Sequence, residues 1–199
     1  MSDLALHREL PVGPAGRASV GWWGLICIIA TESALFAYLL FAYFYFAVQL
    51  DGDWSPHPPP MIVYTLPGVI VLILSGGSAW WAERSARNSL WIQLVAALAV
   101  TALLGIAFAA LQVVDWLAEP FSLQSSEFGS NFYTITGLHM AHEVVGIFTV
   151  LMLLLWSALG YFDAKRHAPV LIGVAYWYFL VVVGVIVFLC LYAVPRLWW

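Results

Sequence analysis

Long runs of apolar residues constrain this chain more than any other feature of its sequence. Each run is long enough to cross the hydrocarbon core of a bilayer, which takes about 20 residues of helix. The five runs lie at about 21–48, 62–82, 91–114, 131–160 and 170–194. Inside lipid the backbone must satisfy its own hydrogen bonds, so each run is expected to be helical. We therefore predict an all-α fold, a polytopic membrane bundle of five transmembrane helices within a domain spanning 21–199.

The composition agrees with a membrane protein and argues against several soluble classes. Hydrophobic residues make up 63% of the 199 residues and charged residues only 9%, against about 25% charged in soluble domains. The net charge of −4 comes without a basic patch, so we expect no nucleic-acid partner. Cys27 and Cys190 lie in apolar runs and form no CxxC pair, which predicts buried thiols.

Lysine and arginine are distributed unevenly between the two sides of the predicted bundle. One side holds six of the seven: Arg8, Arg17, Arg84, Arg87, Lys165 and Arg166. The other side has only Arg196, after the last run. By the positive-inside rule, residues 1–20 form a cytoplasmic segment and the C-terminus lies outside. We expect a multi-pass protein of the bacterial inner membrane, with the first run retained rather than cleaved as a signal peptide.

Four ionisable residues lie deep in the predicted helices: Glu32 in the first, and His139, His142 and Glu143 in the fourth. A charged group near the bilayer centre costs at least about 2.5–3.5 kcal/mol on insertion scales, so it normally has a partner or a function. At about 1.5 Å of rise per residue, both helices place these groups at similar depth. We therefore predict a buried carboxylate–imidazole hydrogen-bond network in which at least one carboxyl is neutral.

A metal or haem site is the alternative interpretation of the same cluster. His139 and His142 share a helix face, and Glu143 follows His139 by four positions. A di-iron bundle, however, needs a glutamate from each of two helices and a Glu-x-x-His from each of two others. No second predicted helix carries a deep histidine here, and two haem ligands would normally come from different helices. The sequence therefore predicts no metal, and a stand-alone membrane metal or haem protein remains the alternative.

Polar residues near the membrane surfaces have simpler interpretations. Gln112, Asp115 and Glu119 lie at the outer end of the third predicted helix. Acidic residues at such a position are usually solvated or cap a helix, and we expect the same for Asp115 and Glu119. Glu83 and Arg84 lie at the inner surface, where we expect an interfacial ion pair.

Several stretches, in order, resemble subunit III of the haem–copper terminal oxidases, the cytochrome c and quinol oxidases, in its short five-helix form. The stretch "TESALFAYLLFAYFYF" at 31–46 is similar to the family's Ser-Glu-x-x-Phe-Phe segment, and "WSPHPPP" at 54–60 to its Trp-Pro-Pro loop. The densest similarity carries "EPF" at 119–121, "FGS" at 128–130 and "TGLHMAH" at 136–142, where the family has Thr-Gly-x-His-x-x-His. The resemblance runs from about residue 21 to 194.

The resemblance implies a non-redox subunit with no catalytic residues and no cofactor of its own. Haem and copper are then expected in partner subunits, and phospholipid between the helices of this chain. The expected partners are oxidase subunits I and II, membrane lipids and, where one forms, a larger respiratory supercomplex. In that family subunit III supports proton uptake and protects the oxygen-reducing complex from inactivation. Glu32 matches its buried, carbodiimide-reactive carboxylate, with His139 and His142 facing it across the bundle.

The chain departs from the family pattern in its last two helices. The family's final helix usually reads Tyr-Trp-His-Phe-x-Asp, whereas Tyr178 stands here at the histidine position and Val181 at the aspartate position. Glu143 stands where the family mostly has an aliphatic residue. We interpret it as a carboxylate moved from the fifth helix to the fourth, and we place Tyr178 in the same network. These departures leave open a cytochrome c oxidase, a quinol oxidase or an accessory role in a nitric oxide reductase.

Overall fold

A computed structural model of the chain describes residues 19–50, 54, 59–162 and 167–198. Every regular element in these residues is helical, in the order α1 Val20–Gln49, α2 Thr65–Arg87, α3 Trp91–Ala118, α4 Glu127–Ala158 and α5 Ala168–Phe188. A π-helical turn, Leu189–Ala193, continues α5 into the short α6, Val194–Trp198. Within the described residues five helices are long and apolar enough to cross a membrane. The predicted all-α bundle of five transmembrane helices is confirmed.

The observed helices differ from the predicted spans at their ends. α2 begins after 62 and runs past 82, α3 runs past 114, and α4 begins before 131. The predicted spans followed apolar residues alone, but a helix continues into polar residues where its end groups are satisfied. Arg84 and Arg87 occupy the last turn of α2, where cations complement the helix dipole. At the start of α4, the Ser126 hydroxyl accepts a hydrogen bond from the Gly129 amide at 3.1 Å.

Parts of the sequence on which predictions were made lie outside the described residues. They are the basic segment up to residue 18, most of the "WSPHPPP" loop, and residues 163–166 with Lys165 and Arg166. Two ends of the bundle can still be distinguished. The basic end carries Arg84 and Arg87 and includes the starts of α1 and α5, and the acidic end carries Asp115 and Glu119.

Four of the helices pack closely and the first lies at their edge. α2 and α3 form an antiparallel hairpin, α5 packs against α2 and α4, and α3 packs against α4. α1 contacts α4 and α5, but only Leu25, Phe36, Tyr43 and Ala47 among its residues are buried. Cys27 is accordingly exposed on the bundle surface. The prediction of a buried thiol at that position is wrong because most of α1 faces outward.

Trp177 of α5 is the largest fully buried side chain among the described residues, and it joins three other helices. Its indole Nε1 donates to the Ser75 hydroxyl of α2 at 2.9 Å. Its ring lies directly against Gly105 of α3 and Gly146 of α4, where the absence of side chains admits it. Small residues of this kind allow membrane helices to approach closely. Here they create the space that the tryptophan fills.

We predict that Gly105→Ala lowers the thermal midpoint of the purified protein in detergent. An added Cβ at this position would lie 2.6 Å from Trp177 Cη2, and over-packing of this kind costs about 1–3 kcal/mol. Gly137→Ala is the matched control on α4, because an added Cβ there has nothing within 4 Å. The control is expected to leave the midpoint unchanged or raise it slightly, through higher helix propensity. Equal effects of the two substitutions would contradict the packing described here.

Candidate functional site

Glu32 of α1 and His142 of α4 meet near the middle of their helices. His142 Nε2 lies 2.9 Å from Glu32 Oε2, with the Glu32 side chain 28% exposed and that of His142 17% exposed. The Phe36 ring packs edge-on against His142, with the ring centroids 5.4 Å apart. The pair therefore lies at the edge of the bundle, on the side where α1 is attached.

The hydrogen bond of the second ring nitrogen of His142 shows how many protons the contact with Glu32 holds. Nδ1 lies 2.6 Å from the carbonyl oxygen of Leu138, and since a carbonyl oxygen only accepts, Nδ1 must carry a hydrogen. Nε2 then either carries a second proton and donates to a carboxylate, or accepts from a protonated carboxyl. In both cases one proton lies between Glu32 and His142. We call these two residues the proton-sharing pair.

His139 lies on another face of α4 and has a different environment. Its Nε2 is 3.1 Å from the carbonyl oxygen of Leu180, so this nitrogen donates and joins α4 to α5. Gly184 makes the room, since an added Cβ there would lie 2.9 Å from His139 Cε1. The side chain is only 3% exposed. This is the environment of a satisfied core histidine.

Glu143 and Tyr178, which we predicted to share one network with Glu32, are not hydrogen-bonded to it. Glu143 is 0% exposed, and neither carboxyl oxygen has a hydrogen-bond partner among the described residues. The Tyr178 hydroxyl instead points to Glu83 of α2, a long contact of 3.4 Å. Side chains two positions apart on a helix point about 200° apart, so Tyr178 faces away from Tyr176, whose side chain interacts electrostatically with Glu32. Val181 also faces α2, with its methyl groups near Gly76.

The ion pair at the basic end joins different residues from those predicted. Glu83 Oε1 lies 2.7 Å from Arg87 Nη2, rather than pairing with Arg84. Residues four apart share a helix face whereas neighbours do not, which explains the partner. The Arg84 guanidinium lies 5.9 Å from the centroid of the Trp80 ring instead.

Asp115 is the centre of a buried polar cluster at the acidic end. It is 0% exposed. The Thr65 hydroxyl donates to its Oδ1 at 2.6 Å. Oδ2 accepts from the Tyr192 hydroxyl at 2.6 Å and from Gln112 Nε2 at 3.3 Å. Our expectation of a solvated carboxylate is wrong here because three donors replace water. The cluster ties α2 and α3 to the π-helical turn after α5.

Glu119 and Arg196 hold the chain that leads into α2. Glu119 is the C-cap residue of α3, which agrees with the expectation that it caps a helix. It is only 9% exposed, so it is not solvated. Its Oε1 accepts the backbone N–H of Met61 at 2.7 Å, and Arg196 donates to the carbonyl oxygen of Pro60. Thr65, Tyr192 and Arg196 were not predicted from the sequence as partners of these carboxyl groups. All three are polar residues close to the ends of apolar runs, and this position is the feature of the sequence that could have indicated them.

The site residues offer little for metal ligation. Among the described residues there is no group of three or more His, Cys, Asp or Glu side chains that could hold a metal ion. His139 and His142 each direct one ring nitrogen to a backbone carbonyl oxygen, and the second nitrogen of His142 faces Glu32. What the arrangement can do chemically is hold a proton and exchange it.

An apolar groove of about 520 Å³ runs between α1, α4 and α5 towards the basic end. Its walls include Leu25, Ile28, Phe148, Met152, Trp156 and Ile172. Tyr176 also lines it and is close enough to interact electrostatically with both Glu32 and Glu143. The groove therefore lies on the side of the bundle where α1 is attached, with Tyr176 in its wall.

The chain is similar to known proteins along almost its whole length. A family model described as Cytochrome c oxidase subunit III matches residues 18–199. Cytochrome c oxidase subunit 3 of Pongo pygmaeus is 30% identical over 200 residues, covering 97% of this chain and 73% of the relative. The protein of the same name from Lumbricus terrestris is 30% identical over 186 residues, covering 89% and 69%. The human protein is 29% identical over 200 residues, covering 97% and 73%. The similarity includes all five helices.

We predict a pH dependence of stability that arises from Glu119. The pKa of this carboxyl is raised from 4.5 to about 7, mainly because the group is buried. The hydrogen bond from the Met61 N–H lowers the pKa, the nearby Asp115 carboxylate raises it, and the Arg196 guanidinium lowers it, but burial has the largest effect. The folded state thus binds the proton more tightly than the unfolded state. Its contribution to stability is fully present below about pH 4.5 and is lost as the pH rises through about 7.

The measurement is the thermal midpoint between pH 4.5 and 7, the two pKa values above. Glu119→Gln keeps an oxygen that accepts the Met61 N–H and removes the titration, so the midpoint is expected to fall less steeply with pH. Glu127→Gln, at an exposed position in the first turn of α4, is the control and should keep the original slope. A slope unchanged by Glu119→Gln would contradict the assignment.

Proposed function

Because the chain belongs to the cytochrome c oxidase subunit III family, we propose that it is the non-redox subunit III of a respiratory haem–copper oxidase. Membership of this family makes it a multi-pass membrane protein of an oxidoreductase complex. In our proposal it packs on subunit I beside subunit II, and those subunits hold the haem and copper that carry electrons to oxygen. This chain supplies proton-holding side chains, lipid contacts and stability.

The proton-sharing pair is the observation that supports a role in proton uptake. One proton lies between Glu32 Oε2 and His142 Nε2, which are 2.9 Å apart. The Glu32 side chain is 28% exposed, so a partner subunit or a water chain at the edge of the bundle can reach it. With this proton in place the pair is neutral overall; when the proton passes on, the pair is left with one negative charge, and uptake of another proton restores the neutral pair. We propose that it feeds proton uptake by subunit I.

Bound phospholipid is the second part of the proposal. The apolar groove between α1, α4 and α5 has the size and chemistry to take an acyl chain. α1 has only four buried residues in contact with the rest of the protein, so a chain in the groove would fill space beside it and hold it in place. A lipid here would also shield the Glu32 side of the bundle from water.

We place the basic end on the cytoplasmic side of a bacterial inner membrane. Arg84 and Arg87 lie at that end of α2, and the positive-inside rule favours the cytoplasm for such residues. The acidic end, with Asp115 and Glu119, then faces outward. In this orientation the groove opens towards the inner leaflet and the proton-sharing pair lies near mid-membrane.

The test is isolation of the complex from native membranes in mild detergent, followed by identification of its subunits and metals. We expect this chain to migrate with a haem–copper subunit I and a subunit II. We also expect Glu32→Gln to leave the haem and copper content unchanged and to slow proton uptake during turnover, because the amide cannot take up the shared proton.

Glu83→Gln is the matched control, a partly exposed carboxyl in another helix, and should leave proton uptake unchanged. Isolation without a haem–copper subunit would contradict the assignment to an oxidase. A partner containing haem and non-haem iron but no copper would point instead to a nitric oxide reductase. An unchanged rate of proton uptake in Glu32→Gln would contradict the role of the pair.

A further inference from the structure

We propose that Glu143 is a second proton-binding site of this chain, a carboxyl that takes up one proton inside the bundle without sharing it with Glu32 or His142. The inference does not depend on the role proposed for the proton-sharing pair, because it follows from the surroundings of Glu143 alone.

Glu143 stands apart from the other buried carboxyl groups of the chain. Its side chain is 0% exposed, and neither Oε1 nor Oε2 has a hydrogen-bond partner in the part of the chain that the structure describes. Asp115 is buried to the same extent but accepts from Thr65, Gln112 and Tyr192. Glu32 has His142. Glu119 accepts the Met61 N–H through one of its oxygens. Glu143 is therefore, in the part of the chain that the structure describes, the buried carboxyl with no hydrogen-bond partner on either oxygen.

The surroundings of Glu143 supply no positive charge. On its own helix, His139 shares its face but already donates to the Leu180 carbonyl oxygen, and His142 points elsewhere and pairs with Glu32. On α5 the titratable neighbour is Tyr176, which also interacts electrostatically with Glu32. The acidic residue of α3, Asp115, belongs to the cluster at the acidic end.

The cationic side chains of α2 lie at the basic end and are engaged there. Arg87 pairs with Glu83, and Arg84 lies over the Trp80 ring. Arg196 of α6 donates to the backbone carbonyl oxygens of Tyr192 and Pro60 at the acidic end. No arginine or lysine that the structure describes is thus placed to balance a charge on Glu143.

Binding a proton resolves the electrostatic problem without any change of fold. An ionised carboxylate without partners in an apolar interior is far costlier than a neutral polar group. Addition of one proton to a carboxylate oxygen converts it to a neutral acid with a single donor. The fit of Glu143 in a closed interior therefore depends on that proton.

The second site is separate from the first and still close to it. Successive residues on a helix point about 100° apart, so Glu143 and His142 face different sides of α4. Tyr176 interacts electrostatically with both Glu32 and Glu143. In a complex that moves protons, the chain thus carries one proton at the edge of the bundle and another inside it.

Infrared spectroscopy of the intact complex tests this directly, through the carbonyl stretch of a protonated carboxylic acid. We expect a band that persists at neutral pH and shifts slowly in deuterated water, because the group is buried. The band should be lost in Glu143→Gln and retained in Glu32→Gln, the matched substitution at the same depth. A wild-type complex without such a band, or a band unaffected by Glu143→Gln, would overturn the proposal.

Assembly of the variants gives a second readout. A glutamine resembles a protonated glutamate in shape and charge, so Glu143→Gln should leave the thermal midpoint of the complex unchanged, and Glu143→Leu should still assemble. Failure of both variants to assemble would also overturn the proposal, since it would show that a negative charge at this position is required.

Discussion

The contact between Glu32 and His142 attaches α1 to the other four helices. α1 has few buried residues, and of its side chains that the structure describes only Glu32 hydrogen-bonds to another helix. Inside a membrane each group needs the other, because a polar side chain left without a partner there is costly. The same contact holds one proton, since His142 Nδ1 is committed to the Leu138 carbonyl oxygen. Attachment of the helix and storage of the proton are thus one interaction.

The buried polar groups of this chain are satisfied in different ways, and the differences separate structure from chemistry. Asp115 has three donors and links three elements, which fixes the acidic end. His139 donates to a backbone carbonyl and locks α4 against α5. The proton-sharing pair is partly exposed, and Glu143 has no partner in the described part of the chain. A group that is fully satisfied has little reason to exchange a proton, so the pair and Glu143 are where proton chemistry is expected.

The sequence was sufficient to predict the five helices and an approach of Glu32 to the histidines of α4, of which His142 contacts it and His139 does not. Hydrophobic length determines which segments span a membrane, and the rise per residue placed both groups at similar depth. It was not sufficient to tell which face of a helix meets which neighbour. The Tyr178 hydroxyl points to Glu83 rather than to Glu32, and Asp115 accepts a hydrogen bond from Tyr192 rather than from water. These contacts depend on how each helix is rotated about its axis. That rotation is determined by packing, such as that of Trp177 against glycine residues of the neighbouring helices.

The most direct test is to measure which ring nitrogens of His142 carry a hydrogen. Solid-state ¹⁵N nuclear magnetic resonance of the histidine-labelled complex reports which ring nitrogens carry hydrogen, and a His142 variant assigns the signals. We predict a protonated Nδ1, and an Nε2 signal that shifts when Glu32 is changed to Gln. A bare Nδ1, or an Nε2 signal that Glu32→Gln leaves in place, would contradict the shared proton on which both the attachment of α1 and the proposed function depend.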